Sequence, residues 1–199
     1  MSNDTSILVE KSKAATFERG FKTWCENTSL NIRRKLKLSP TDPLSPQQLA
    51  QVLNVIVWTT ADVPELAPKT RESLDSSIGD EWSAVTVEAA GKTIIVVNKS
   101  HSEARQASDI MHELAHIIRG HEAGKVYIIG SHAMRYFNEI QENEANWLAG
   151  TLLLPRTVLT ACVYRRTPID EILAKYGVSK QLYTYRVNMA GVRKQFKHS

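Results

Sequence analysis

Cysteine is scarce: the 199 residues include two, Cys25 and Cys162. Two thiols cannot build a disulfide framework or a four-thiolate zinc site, so both are expected to be reduced, buried side chains. No apolar run approaches the ~18 residues that a bilayer span requires. The opening MSNDTSILVEKSK lacks the basic start, apolar stretch and small-residue cleavage site of a secretory signal. Internal repeats and low-complexity tracts are also missing. These absences argue against a secreted or membrane-anchored protein and favour a cytoplasmic one. Composition is ordinary, with 42% apolar and 23% charged residues, which excludes disordered and collagen-like chains. The length suffices for a core without covalent staples.

The net charge of +4 is unevenly placed. Residues 156–199 carry nine Lys/Arg against two acids, Asp170 and Glu171, or +7, which leaves −3 on residues 1–155. A basic tail on a slightly acidic body permits nucleic-acid contact. Solvated surface arginine and lysine is the plainer reading.

Residues 14–38 read as helix, with Phe17, Phe21, Trp24 and Leu30 at loosely helical spacing. Ser45 is a natural N-cap for a second helix, with Pro46 at its first position. Val55 to Trp58 reads as a strand. Asp62 to Asp80 is polar and reads as loop with at most a turn of helix. Trp82–Val87 and Thr93–Val97 form a hairpin pattern with a glycine in the connection. Glu103 to Arg119 reads as a long helix ended by Gly120. Residues 133–154 read as a second long helix, ended at Pro155, and three short helices follow. The expected organisation is an N-terminal helical segment (1–50), a core (51–155) and a small basic helical module (156–199).

The chemistry lies in His112-Glu-Leu-Ala-His116. Two histidines four apart share one helix face, so their imidazoles can hold one zinc at ~2.0–2.1 Å. Glu113, turned about 100° away, can reach a water at that metal. A chain of this composition spells the pattern by chance about one time in a hundred. Ile110, Met111, Leu114, Ile117 and Ile118 form an apolar stripe, and both histidines lie opposite it with Arg105, Asp109 and Arg119. A catalytic zinc needs a third protein ligand and an open position. His121, just past Gly120, reads as a surface residue. Glu142 and Glu144 compete for the role and face nearly opposite directions on their helix. Glu142 is favoured because it shares a face with Ala145, Asn146 and Ala149, whose small size lets two helices approach. Glu144 shares its face with Ile140, Trp147 and Leu148, which suggests packing against something else. Asn146 can hydrogen-bond a metal-bound histidine from outside the ligand set.

Metal-assisted hydrolysis follows, with Glu113 moving the proton from water to the leaving amine. Tyr127, His132 and Tyr136 are candidates for a second electrophile, and the sequence does not choose among them. Manganese is an alternative to zinc at a His/His/Glu site. Thr93 to Asn98 is a candidate edge strand for an extended peptide, or else an ordinary core strand.

These pieces together resemble the ImmA/IrrE family of zincin-like metallo-endopeptidases. The matching residues are a strand ending in Asn98, Arg105-Gln106, His112-Glu-Leu-Ala-His116-Ile-Ile, Glu142-Asn-Glu-Ala-Asn146-Trp-Leu-Ala and Leu152-Leu-Leu-Pro155. The resemblance covers residues ~82–155; the stretches Arg19 to Glu26 and Asp42 to Ala50 also look like longer members. It implies an α+β zincin-like domain of helices on a small β-sheet, followed by a helix-turn-helix-like module. It implies His112, His116 and Glu142 as zinc ligands and Glu113 as catalytic acid/base. It further implies a helix-turn-helix transcriptional repressor as the protein substrate. Ile169 to Arg186 has the Leu-Ala…Gly-Val-Ser…Arg pattern of a helix-turn-helix. Two alternatives stand beside a protease: a non-catalytic, partner-binding zincin fold, and a DNA-binding regulator acting through the basic tail.

Overall fold

The computed structural model describes residues 17–76, 82–121, 126–129, 132–135 and 138–195. It is an α+β fold, rich in helix around a small sheet. Chain order is α1 (Phe21–Lys35), α2 (Pro46–Val52), β1 (Val55–Thr59), α3 (Pro68–Asp75), β2 (Ala84–Ala89), β3 (Lys92–Val97) and α4 (Glu103–Arg119). Then come β4 (Val126–Ile129), β5 (His132–Arg135), α5 (Glu139–Leu153), α6 (Arg156–Tyr164), α7 (Ile169–Tyr176), α8 (Lys180–Ala190) and α9 (Val192–Gln195).

The sheet has the order β1-β3-β2. Strand β1 runs parallel to β3, with Val57 opposite Ile95. Strands β2 and β3 form the expected hairpin, closing at Ala89 opposite Lys92. Its turn is two residues, Ala90 and Gly91, with φ of 50° and 71°; paired positive φ values suit the right-handed twist of the strands. Because β3 has a neighbour on each side, Thr93 to Asn98 is not an edge, and the sheet's margins are β1 and β2. Ile94, Ile95 and Val97 are accordingly buried.

Three expectations need correction. The segment from Ala133 to Arg135 belongs to β5, paired with β4, so the second long helix starts only at Glu139. Asn138 sets that start, because its side chain accepts from the backbone N–H groups of Ile140 and Gln141. The polar stretch after Asp62 holds two turns of helix, α3, rather than at most one. The tail forms four helices among the described residues rather than three.

The N-terminal helix also turns a different face inward. Phe21, Cys25, Ser29 and Arg33, each four residues on, are its buried line, whereas Trp24 is 37% exposed. Apolar spacing missed this face because its second half is polar. Those polar groups serve the carboxyl end of α5, whose last carbonyls have no partner within the helix. Ser29 Oγ donates to Thr151 O (3.1 Å), Arg33 Nη2 to Leu152 O (2.9 Å) and Arg186 Nη2 to Leu154 O (3.1 Å). Arg186 also pairs with Glu26 at 3.2 Å. Burial pushes the Arg33 guanidinium down to about 10, so it still carries its charge at neutral pH.

One cluster of buried apolar side chains runs from Phe21 on α1 through α5 to Val192 on α9. Cys25 and Cys162 are free and buried, as expected; burial pushes the Cys25 thiol up to about 12, which makes it a packing group rather than a nucleophile. No single helix among the described residues is long and apolar enough to cross a membrane.

Gly150 sits where Arg186 crosses α5, and a Cβ there would meet Arg186 Cδ at 2.9 Å. Alanine gains about 1 kcal/mol of helix propensity, but overpacking a locked side chain costs about 1–3 kcal/mol. Gly150→Ala is therefore expected to lower stability by about 1 kcal/mol in denaturant unfolding. A rise in the unfolding midpoint would show that Arg186 moves aside freely.

Candidate metal centre

Two helices and the hairpin assemble the site. Helix α4 begins at Ser102, whose Oγ accepts from Arg105 N–H at 3.4 Å. The turn that leads into it is fixed by Asn98, buried at the end of β3. Its side chain donates to Trp82 O (3.1 Å) and accepts from Ser100 N–H (3.0 Å) and Ser100 Oγ (2.8 Å). Gln106 Nε2 closes the loop onto His101 O at 2.7 Å. With its amino end held, α4 buries Ile110, Met111, Leu114 and Ala115 and turns His112 and His116 the other way. Helix α5 packs along α4, with Ala145 and Ala149 buried.

This places three side chains around one point. His112 Nε2 lies 3.0 Å from His116 Nε2 and 3.2 Å from Glu142 Oε2, and His116 Nε2 lies 3.6 Å from Glu142 Oε1. Ligands at ~2.0–2.1 Å in a tetrahedron stand about 3.3 Å apart, so the donor set fits a zinc-sized ion. Among the described residues it is the one His/Cys/Asp/Glu group of this kind. The side chains stay 20–31% exposed, which leaves approach from solvent. Burial draws the His112 imidazole down. The hydrogen bond to Glu142, the charges of Glu113 and Glu142, and a hydrogen bond with Asn146 outweigh it, so the net shift is upward. Asn146 itself is exposed on α5.

Glu113 points under the sheet. It is buried, and its Oε2 accepts a hydrogen bond from Thr86 Oγ1 on the margin strand β2. Sequence reasoning missed Thr86, because nothing local to β2 says which helix residue it will face. Glu144 is buried as well, on the other side of α5. Arg119 holds it with two contacts, Nε to Oε2 at 2.6 Å and Nη2 to Oε1 at 3.3 Å. Arg119 in turn lies over the rings of Phe21 and Trp24, 5.5 and 5.4 Å from their centroids.

His121 corrects the expectation of a surface residue: its side chain is 6% exposed. Gly120, at φ 72°, reverses the chain at the end of α4, and His121 N–H returns to His116 O at 3.0 Å. This Schellman-type turn lays the His121 ring beside His116. The signal was present in the sequence as Gly120-His121, five residues past the second histidine, but helical phasing stops being valid at the glycine. The Tyr127, His132 and Tyr136 side chains lie outside the described residues.

The Arg119 hydrogen bond, opposed by burial and helped by His121, holds the Glu144 carboxyl below the usual carboxylate range. The stability this contributes is fully present above the unfolded value, about 4.3, and is lost as pH falls through the lower folded value. Thermal melts between pH 3 and 7 should therefore show an acid-side loss that Glu144→Gln flattens. Parallel curves for the two proteins would remove Glu144 from the acid response.

An α+β fold that gathers two histidines and a glutamate beside a buried second glutamate is the architecture of a candidate metallohydrolase. Residues 70–188, more than half of the chain, match the Peptidase M78 family, described as the IrrE N-terminal-like domain, and the protein belongs to that family. A search of curated proteins gives no significant match. Among solved structures, a Mycobacterium tuberculosis transcriptional regulator shares the fold, with a TM-score of 0.52 and 16% identity. The match covers 86% of this chain and 48% of that protein, so the chain spans about half its length.

Proposed function

We propose that the protein is a zinc-dependent endopeptidase in which His112, His116 and Glu142 hold the metal and Glu113 is the acid/base. The convergence of His112 Nε2, His116 Nε2 and Glu142 Oε2, in a chain of a peptidase family, carries this reading. Zinc held there supplies Lewis acidity, polarising an amide carbonyl and easing deprotonation of water. Glu113 accepts the proton of the attacking water and returns it to the leaving amine nitrogen. The Thr86 hydroxyl orients the carboxylate for both transfers by binding its Oε2. An extended peptide paired along β2 would run past Glu113, since Thr86 lies on that margin strand.

A helix-turn-helix repressor as substrate rests on the family resemblance alone. One observation favours a second reading, a DNA-binding regulator. Helix α7, a left-handed Gly177 at φ 60° and the Ser179-capped α8 have helix-turn-helix order. Against it, Arg186 of α8 is fully buried and engaged with Leu154 O and Glu26, so it is withdrawn from any nucleic acid.

Metal content and melting temperature of the purified protein test the assignment. Wild type should hold about one zinc, and chelation should lower its melting temperature, since metal binds only the folded form. Glu142→Ala should lose the zinc, whereas Glu144→Gln, whose amide oxygen can still accept from His121 Nε2, should keep it. Wild type that carries no zinc under gentle purification and does not respond to added zinc would overturn the reading. Cleavage of a co-expressed neighbouring repressor tests the substrate class.

A further inference from the structure

His121 has no role in the proposed chemistry, yet it occupies a defined place behind it. Its Nδ1 lies 2.9 Å from His116 Nδ1, and its Nε2 lies 3.1 Å from Glu144 Oε2. The rings of His116 and His121 meet edge to face, with centroids 4.9 Å apart. Glu144 is anchored by Arg119, and Arg119 by the aromatic pair on α1.

Hydrogen-bond valence then fixes every proton in the row. A neutral imidazole has one N–H donor and one lone pair. If His116 presents its Nε2 lone pair to a metal, its proton is on Nδ1. That proton can go only to a lone pair on His121 Nδ1 at this contact. His121 must therefore carry its own proton on Nε2, where the Glu144 carboxylate accepts it. The reverse order would make His116 Nδ1 the acceptor and put a proton on His116 Nε2, the atom the metal needs.

We propose that His121 is a positioning residue, which with Glu144 selects the His116 tautomer that presents Nε2 to the metal. The inference rests on the metal reading of His112, His116 and Glu142. It extends the known pattern in which a metal-bound histidine donates its other N–H to a carboxylate: here a second imidazole is inserted between the two.

The test pairs zinc affinity with a direct view of the tautomers. Zinc affinity of the full chain is measured by competition with a chromogenic chelator for wild type, His121→Phe and His121→Asn. Phenylalanine fills the space without a lone pair. Asparagine can place an amide oxygen near the Nδ1 position and accept from His116. His121→Phe should weaken zinc binding about 10–100-fold, and His121→Asn should recover most of that loss. Urea unfolding of the metal-free proteins controls for folding. Long-range ¹⁵N–¹H correlation on zinc-loaded wild type, which needs no variant, should show His116 protonated at Nδ1 and His121 at Nε2. Equal zinc affinity in wild type and His121→Phe, equal losses in both variants, or His121 protonated at Nδ1 would each overturn the proposal. Wild type without zinc binding would instead bring down the metal reading beneath it.

Discussion

Glu113→Gln is expected to retain zinc and lose cleavage by about 10²–10⁴-fold, the usual contribution of a positioned acid/base. The amide is isosteric with the carboxylate and can still accept from Thr86 Oγ1, so the fold around it should persist. It cannot take up a proton from water at neutral pH. Glu113 makes no part of the His112, His116 and Glu142 group, so metal content should match wild type. The measurement is zinc stoichiometry beside the rate of cleavage of a cut repressor. Cleavage at wild-type rate would remove Glu113 from the chemistry. Unchanged biological output without cleavage would favour the partner-binding or DNA-binding alternative.

The largest stability effect should come from Arg33→Met, far from the metal. The methionine keeps the apolar stem but leaves Leu152 O, Asp42 O and Ser29 Oγ without the donor each now has. Unsatisfied buried acceptors cost about 1–3 kcal/mol each. Relaxation and water entry reduce that sum, so a net loss of about 3 kcal/mol is expected, or roughly 6–12 °C in melting temperature for a chain of this size. Arg33→Lys should recover only part, since an ammonium cannot reproduce the guanidinium's spread of donors. A melting temperature within 2 °C of wild type, taking ~2 °C as about the smallest shift per kcal/mol, would show that the carboxyl end of α5 does not depend on Arg33.

What the sequence made legible was chiefly local. Ser102 and Gly120 bound α4 from end to end, and four-residue spacing put His112 and His116 on one face. Small residues beside Glu142 pointed to the helix that approaches them, and the structure brings the three together. The parts left open or misread depend on distant partners. Strand order is not written in β3, so the sequence left an edge strand and a core strand both open, and the structure shows the core strand. The buried face of α1 is half polar because its Ser29 and Arg33 answer carbonyls about 120 residues later in the chain. Glu144 packs away from the metal group as its face suggested, but its partner, Arg119, could not be read because it lies on another helix. His121 looked exposed because a left-handed glycine redirects the chain just before it.

The carboxyl end of α5 has a consequence for how the chain becomes competent during synthesis. Its carbonyls wait for Ser29 and Arg33, which leave the ribosome before α5, and for Arg186, which leaves well after it. Helix α5 also carries Glu142. A nascent chain that has already exposed His112, Glu113, His116 and Glu142 therefore still has a carbonyl at the end of α5 without its donor until α8 has emerged. Trimming to the family-matched span, residues 70–188, would have the same effect from the other side: it keeps Arg186 but discards α1. The span that closes α5 is thus longer than the span the family shares, because it needs α1 as well as α8.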